Sequence, residues 1–291
     1  DSQPLSAVYS GADFDWYYNH LLAPKLNIQS RYFNTDAQKS NLYAVYLGNR
    51  IYSSALRLNF FLGGGLYTRP IDKKADFMWD AILNKKLANS FSLDITAAYK
   101  PYFNTVGSLQ QHVAYHHYGA SFFYNKADGW MWQIGYAAQQ FNDRNTLQNL
   151  NAYIVSQPIK LGDVSFYLGY AFSYGSSKTD HFNATSTVAE AFAPVYIPYY
   201  TPKNELENAV LADLVYQPSK ALKLAVKSRT GFYASSDRGY FFLEQDAGGA
   251  TVIAKDFYSQ KFSPFQINGQ ISYSFSASFT LNLGYTYSNT F

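Results

Sequence analysis

The segment QINGQISYSF, Gln266–Phe275, alternates without interruption: Ile267, Gly269, Ile271, Tyr273 and Phe275 fall on one side, Gln266, Asn268, Gln270, Ser272 and Ser274 on the other. The next segment, LNLGYTYSNTF over Leu281–Phe291, repeats the pattern, with Leu281, Leu283, Tyr285 and Tyr287 opposing Asn282, Gly284, Thr286 and Ser288. A period of two is the signature of a strand, because successive side chains leave a pleated backbone in opposite directions. From Ser263 to Phe291 there is no charged residue, yet a polar or small one recurs at nearly every second position. A lipid-facing helix would be apolar all round. These residues read instead as two strands, each with one greasy face.

The same pattern extends back through the chain, in Leu222–Phe232, Val164–Tyr174, Phe91–Tyr99 and Leu56–Leu66. Less regular strands fall near 7–18, 25–32, 42–51, 76–86, 113–124, 130–141, 149–157 and 207–217, giving about 14 in all. Their length decides between two all-β classes. Strands of soluble domains average about five or six residues, whereas a tilted membrane-spanning strand needs about 9–11. The faces agree with the second class. The non-greasy face is rich in Gly, Ala, Ser, Asn and Gln and poor in charge, as suits a wet interior, and aromatics such as Trp16, Trp79, Tyr99, Trp132 and Tyr287 sit near strand ends. The predicted fold is a transmembrane antiparallel β-barrel spanning 1–291 as one domain, with the bacterial outer membrane as its location.

Composition supports this. Of 291 residues only 15% are charged, while 19% are aromatic, including 28 Tyr and 23 Phe. An ordinary soluble domain carries about 25% charged residues. No run of about 20 apolar residues could cross a membrane as a helix. The chain has no cysteine, which excludes disulfides and thiolate metal sites, and the formal net charge of +3 comes from scattered residues. Nucleic acid is therefore not an expected partner. No signal peptide is visible, and Asp1 reads as a mature or trimmed N-terminus.

Connections alternate in length. Short turns at 88–90, 125–129, 158–163, 217–221 and 276–278 separate longer links near 33–41, 68–75, 103–111 and 142–148, with two large ones at about 176–206 and 234–263. Short turns are usually periplasmic and long loops external, which would put both chain ends outside. One reading of that anomaly is a 16-strand parent barrel with a strand missing at each end; inverted loops or a miscount are the others.

Two resemblances follow from quoted residues. Phe291, preceded on its face by Leu283, Tyr285 and Tyr287, resembles the C-terminal strand signal of Gram-negative outer-membrane proteins. The run Tyr199-Tyr200-Thr201-Pro202-Lys203-Asn204, followed by a strand, a tight turn and a strand ending near Gly231-Phe232-Tyr233, resembles a segment of the barrels of exopolysaccharide exporters, such as those secreting cellulose or poly-N-acetylglucosamine. That likeness implies a porin-like export channel for sugar polymers; the helical-repeat scaffold of those exporters has no counterpart in these 291 residues.

Alternation also assigns an interior. Lys25, Arg31, Arg50, Arg57, Lys100, Lys223, Lys227 and Arg229, with Asp13, Asp15, Asp80, Asp94 and Asp213, are the expected channel-lining charges. An Arg or Lys facing lipid near the midplane costs about 2–4 kcal/mol, so they should point inward or sit at the rims. Lys223, Lys227 and Arg229 form a basic stripe that either guides anionic solutes or pairs internally, with Asp213 opposite Lys227. Tyr9, Tyr17, Tyr67, Tyr115 and Tyr167 are candidate sugar-stacking residues, and equally are packing residues of a barrel interior. An opening of about 12–15 Å inside a backbone of about 28 Å diameter would admit a sugar chain unless the large loops obstruct it.

Catalysis has weak support. His112 and His116 would stand about 13 Å apart on a strand, too far to share a metal. Asp13 and Asp15 are same-face carboxylates about 7 Å apart, a glycosidase-like spacing that also arises by chance. Asp143, Asp180 and His181 form no recognisable protease arrangement. The expectation is a non-enzymatic channel with no metal and no cofactor. It would sit in a bilayer with lipopolysaccharide and pass a hydrophilic solute, carbohydrate being favoured. A periplasmic or cell-surface protein is a further expected partner, and an occluded structural or partner-binding barrel is the alternative.

Overall fold

The computed structural model describes residues 6–15, 22–34, 39–69, 72–102, 108, 110–126, 129–184, 194–196, 198–276 and 279–289. Among these residues eighteen strands follow one another: β1 Ser6–Asp15, β2 Leu22–Asn34, β3 Lys39–Ser53, β4 Leu58–Thr68, β5 Ala75–Lys86 and β6 Phe91–Pro101. Next come β7 Ala114–Asn125, β8 Met131–Phe141, β9 Thr146–Val155, β10 Ile159–Leu161, β11 Val164–Ser177 and β12 Phe182–Ala184. The last are β13 Pro194–Tyr196, β14 Glu205–Tyr216, β15 Leu222–Gln245, β16 Thr251–Phe262, β17 Phe265–Ser276 and β18 Phe279–Asn289.

Fourteen of them hydrogen-bond side by side in chain order, β1 through β9, then β11, β14, β15, β17 and β18, while β10 and β16 branch off this path. Every ladder is antiparallel, so each strand returns beside the last. Among the described residues no ladder joins β1 to β18. The fourteen-strand count read from alternation is the count along this path. No described helix is long and apolar enough to cross a membrane.

Cross-strand partners keep the two faces separate. Val45 pairs with Ile28 and Leu66, Leu168 with Ala212, and Ile271 with Leu283, all on one face. That face is open: Leu47 is 62% exposed and Tyr285 70%, and Ile134, Val210 and Leu283 are exposed with them. So much bare apolar surface is unfavourable in water and is what a hydrocarbon surround stabilises. Near the short turns the belt ends in an aromatic patch, with Phe91 against Tyr124 (centroids 4.9 Å apart) and Trp132 against Phe122 (5.6 Å). Near the long links Tyr99 packs tilted against His116 at 4.9 Å. Two girdles bounding an apolar band are what the interfaces of a bilayer favour.

The other face carries small and polar residues. Glycine is required at Gly65, where an added Cβ would run into the Val45 carbonyl of the adjoining strand.

The segment 234–263, expected to be a loop, is mostly strand. Residues Leu222–Thr230 of β15 pair with β17, whereas Ala234–Gln245 pair with β16. The changeover falls at a β-bulge: Asn208 of β14 faces Tyr233 and Ala209 faces Gly231, leaving Phe232 unmatched. The extra residue resets which side chains face inward, and β15 and β16 run on past the wall as a two-stranded ribbon. By contrast, Arg57, expected on a strand, sits in the β3–β4 turn with φ 50°.

Candidate functional site

Three cavities occupy the polar face. The first, about 670 Å³, gathers Lys25, Arg50, Asp80, Lys100, Tyr67 and Tyr115, six of the residues that alternation had assigned to the interior. Sequence reading missed its Tyr46, Phe61 and Tyr102, although they share the inward parity or follow it into a link. Asn27, Gln29 and Gln139 supply amides beside these rings.

The second cavity, about 570 Å³, holds Arg229 with Glu205, Glu207, His117, Asn149, Asn151 and Gln139. Gln139 lines both spaces, so the two adjoin. Here the guanidinium of Arg229 donates to both oxygens of Glu207, at 2.8 and 2.9 Å, and to Ser173 Oγ at 3.3 Å. Lys227 approaches Asp213 at 4.0 Å. Two members of the basic stripe are thus matched by carboxylates of the neighbouring strand; Lys223 carries no ion pair among the described residues. Tyr167 lies in register with Asp213.

The third, about 880 Å³, lies at the short-turn end and contains Arg57 and Asp94 together with Lys85, Lys86, Asn59, Asn84, Asn89 and Asn125. In the register of β1 and β2, Tyr9 is opposite Arg31, Asp13 opposite Asn27 and Asp15 opposite Lys25, so the five candidates on these two strands share one parity. The side chains of Tyr9, Asp13, Asp15 and Arg31 lie outside the described residues, as does Tyr17 altogether.

At the opposite end, described residues of the link between β11 and β14 are buried. Tyr199 is fully buried, its ring stacked on Phe141 at 4.0 Å and packed beside Tyr102 at 5.6 Å. Its hydroxyl donates to Asp143, at 2.8 and 3.0 Å to the two carboxylate oxygens, and His181 Nε2 lies 2.9 Å from the same carboxylate. Burial above all, and then the bond to Asp143, raises the Tyr199 hydroxyl above the ordinary phenol range. The Asn145 amide donates to the Thr179 carbonyl at 3.0 Å and accepts from the Thr179 N–H at 2.9 Å. Asp180 pairs with Lys255 of the ribbon, and Lys203 lies 3.5 Å from the centre of the Phe257 ring. These contacts fasten both the link and the ribbon over the long-link mouth. Asp143 and His181, which sequence alone left unassembled, therefore belong to a clamp. Among the described residues no group of three His, Asp or Glu side chains is placed to hold a metal.

Fold and belt together define the class, an outer-membrane β-barrel. Neither a family model nor a curated protein matches the sequence. Among solved structures, a bacterial polysaccharide outer-membrane secretin superposes with TM-score 0.62 at 7% identity, over 96% of this chain and 88% of that one. The FrpB iron transporter of Neisseria meningitidis gives TM-score 0.47 at 11% identity, over 97% of this chain and 55% of that one. OmpT, an outer-membrane protein of Vibrio cholerae, gives 0.39 at 13% identity, over 98% and 90%. The first of these likenesses is one of fold.

Proposed function

We propose that this protein is a porin-like channel through which hydrophilic solutes, saccharides above all, cross the outer membrane passively. The carrying observation is the inner face. Two adjoining cavities combine amides (Asn27, Gln29, Gln139, Asn149, Asn151) with aromatic rings (Tyr46, Tyr102, Tyr115) and interleaved charges. Amides exchange hydrogen bonds with sugar hydroxyls while ring faces cover the apolar side of a pyranose, so this lining favours a carbohydrate path over a purely ionic one. The secretin whose fold this chain shares is described as a polysaccharide protein, which agrees with that choice. Purified protein reconstituted in a planar bilayer is expected to carry discrete open currents that added oligosaccharides block in a concentration-dependent way. Absence of any open current overturns the channel reading; open current without block leaves a channel but removes the saccharide.

One observation favours a second reading. The described part of the β11–β14 link is pinned in place, Tyr199 stacking on Phe141 and donating to Asp143. If it seals the mouth, the barrel is occluded and its surface serves as a structural or partner-binding scaffold. The same bilayer recording separates the two, since a Tyr199→Ala variant should then gain a current that the native protein lacks.

A further inference from the structure

The sequence located the strongest positive field on β15, but the structure spends most of that charge internally. Arg229 is bound by Glu207, and Lys227 faces Asp213. In the cavity beside Arg50, Lys25 and Lys100 stand around Asp80. The short-turn mouth differs. Arg57, Lys85 and Lys86 line one space of about 880 Å³, where Asp94 is the one carboxylate among the described residues. None of these three cations has an ion pair among the described residues.

Their placement is built into the backbone. The β3–β4 turn closes with the Arg57 N–H donating to the Ser54 carbonyl at 3.2 Å, and the Lys86 N–H donates to the Arg57 carbonyl at 2.9 Å. Leu58 is in register with Lys85 and Ser92 with Lys86, so Lys85 has the outward parity and Lys86 the inward one, and the two flank Arg57 at the rim. The β5–β6 and β7–β8 turns complete the rim with Asn89, Ser90 and Asn125, and Asn59, Asn84 and Ser92 line the approach to the interior. Tyr52, nearly half exposed, borders the same space.

We propose that this mouth is a capture site for carboxylate-bearing saccharides. Arg57, Lys85 and Lys86 would hold the acidic group, and the surrounding amides and hydroxyls would hold the sugar. Unpaired cations in a concave mouth concentrate anions, and a guanidinium donates two parallel hydrogen bonds to a carboxylate. Eight amide or hydroxyl side chains around them match a polyhydroxylated ligand better than a bare ion. The proposal rests on the channel reading but is tested apart from it.

The test is calorimetry on the full chain in detergent, with trigalacturonate as the probe, maltotriose as the neutral sugar and inorganic phosphate as the sugar-free anion. The native protein should bind trigalacturonate more tightly than either control, with affinity falling as salt rises. Arg57→Gln, Lys85→Gln and Lys86→Gln combined should weaken that binding about tenfold. Asp94→Asn, which removes the one opposing charge, should tighten it, an outcome no misfolded variant would imitate. Equal affinity in native and triple-variant proteins, or phosphate binding as tightly as trigalacturonate, overturns the proposal. Because calorimetry needs no current, a barrel that binds but does not conduct would sink the channel reading and spare the site.

Discussion

At the scale of single residues, the interior charges differ in what holds them. Arg229 and Glu207 are partly shielded, with side chains 34% and 18% exposed, and share two charge-assisted hydrogen bonds. Lys227 is 62% exposed and its partner lies at the limit of an ion pair. Glu207→Gln should therefore destabilise the barrel by about 1–3 kcal/mol, whereas Lys227→Gln should change it by less than about 1 kcal/mol. Urea unfolding in detergent micelles checks both; equal losses would mean that burial does not separate the two pairs. The inward assignment of Lys25, Arg50, Asp80 and Lys100 was legible because parity alone decides it. Glu207 shares the inward parity of Asp213 on β14, and only the fold shows it beside Arg229, 22 residues along the chain.

At the scale of elements, the β11–β14 link carries its own β12–β13 ladder and is fastened to its surroundings largely by side chains. Tyr199 and Asp143 are 56 residues apart in sequence, and His181 reaches both. No local pattern announces such a meeting, which explains why the clamp was invisible beforehand while the strands around it were not. Loss of a buried aromatic ring costs about 3–5 kcal/mol where the site cannot collapse. Here the expected consequence is local: Tyr199→Ala should release the link and make it susceptible to brief proteolysis, with the strands still paired. Tyr199→Phe keeps the stack on Phe141 and loses only the bond to Asp143, so its protection should be close to native. Unchanged cleavage of the alanine variant would show that the link is held elsewhere. The ribbon was hidden for a different reason. The unmatched Phe232 shifts the parity, and Gly239 and the Gly248-Gly249 pair look like loop residues although Gly239 lies within β15.

At the scale of the molecule, one surface rule governs the whole sheet: apolar outside, wet inside. A charge placed mid-belt should be costly, and the same charge placed inside should not. Leu47→Arg is expected to cost about 2–4 kcal/mol, near the middle of β3 and facing outward. Gln139→Arg, on the shared wall of the two adjoining cavities, should leave stability within about 0.5 kcal/mol and raise anion preference in reversal-potential measurements. Equal destabilisation by both would contradict the face assignment. The face rule was readable from Gln266–Phe275 alone, because lipid and water impose opposite demands on alternate residues. The choice of solute was not, since cavity shape depends on which of many inward side chains meet.

The changeover within β15 has a mechanical consequence. A pull on the ribbon tip would open its ladder like a zipper, parting Gln245 from Thr251 first and then one rung at a time. Below Gly231 the same strand is gripped on both sides, by β14 and β17. Force arriving there meets two ladders loaded together. The ribbon can therefore yield to shear and re-form, while the wall beneath it stays unstretched.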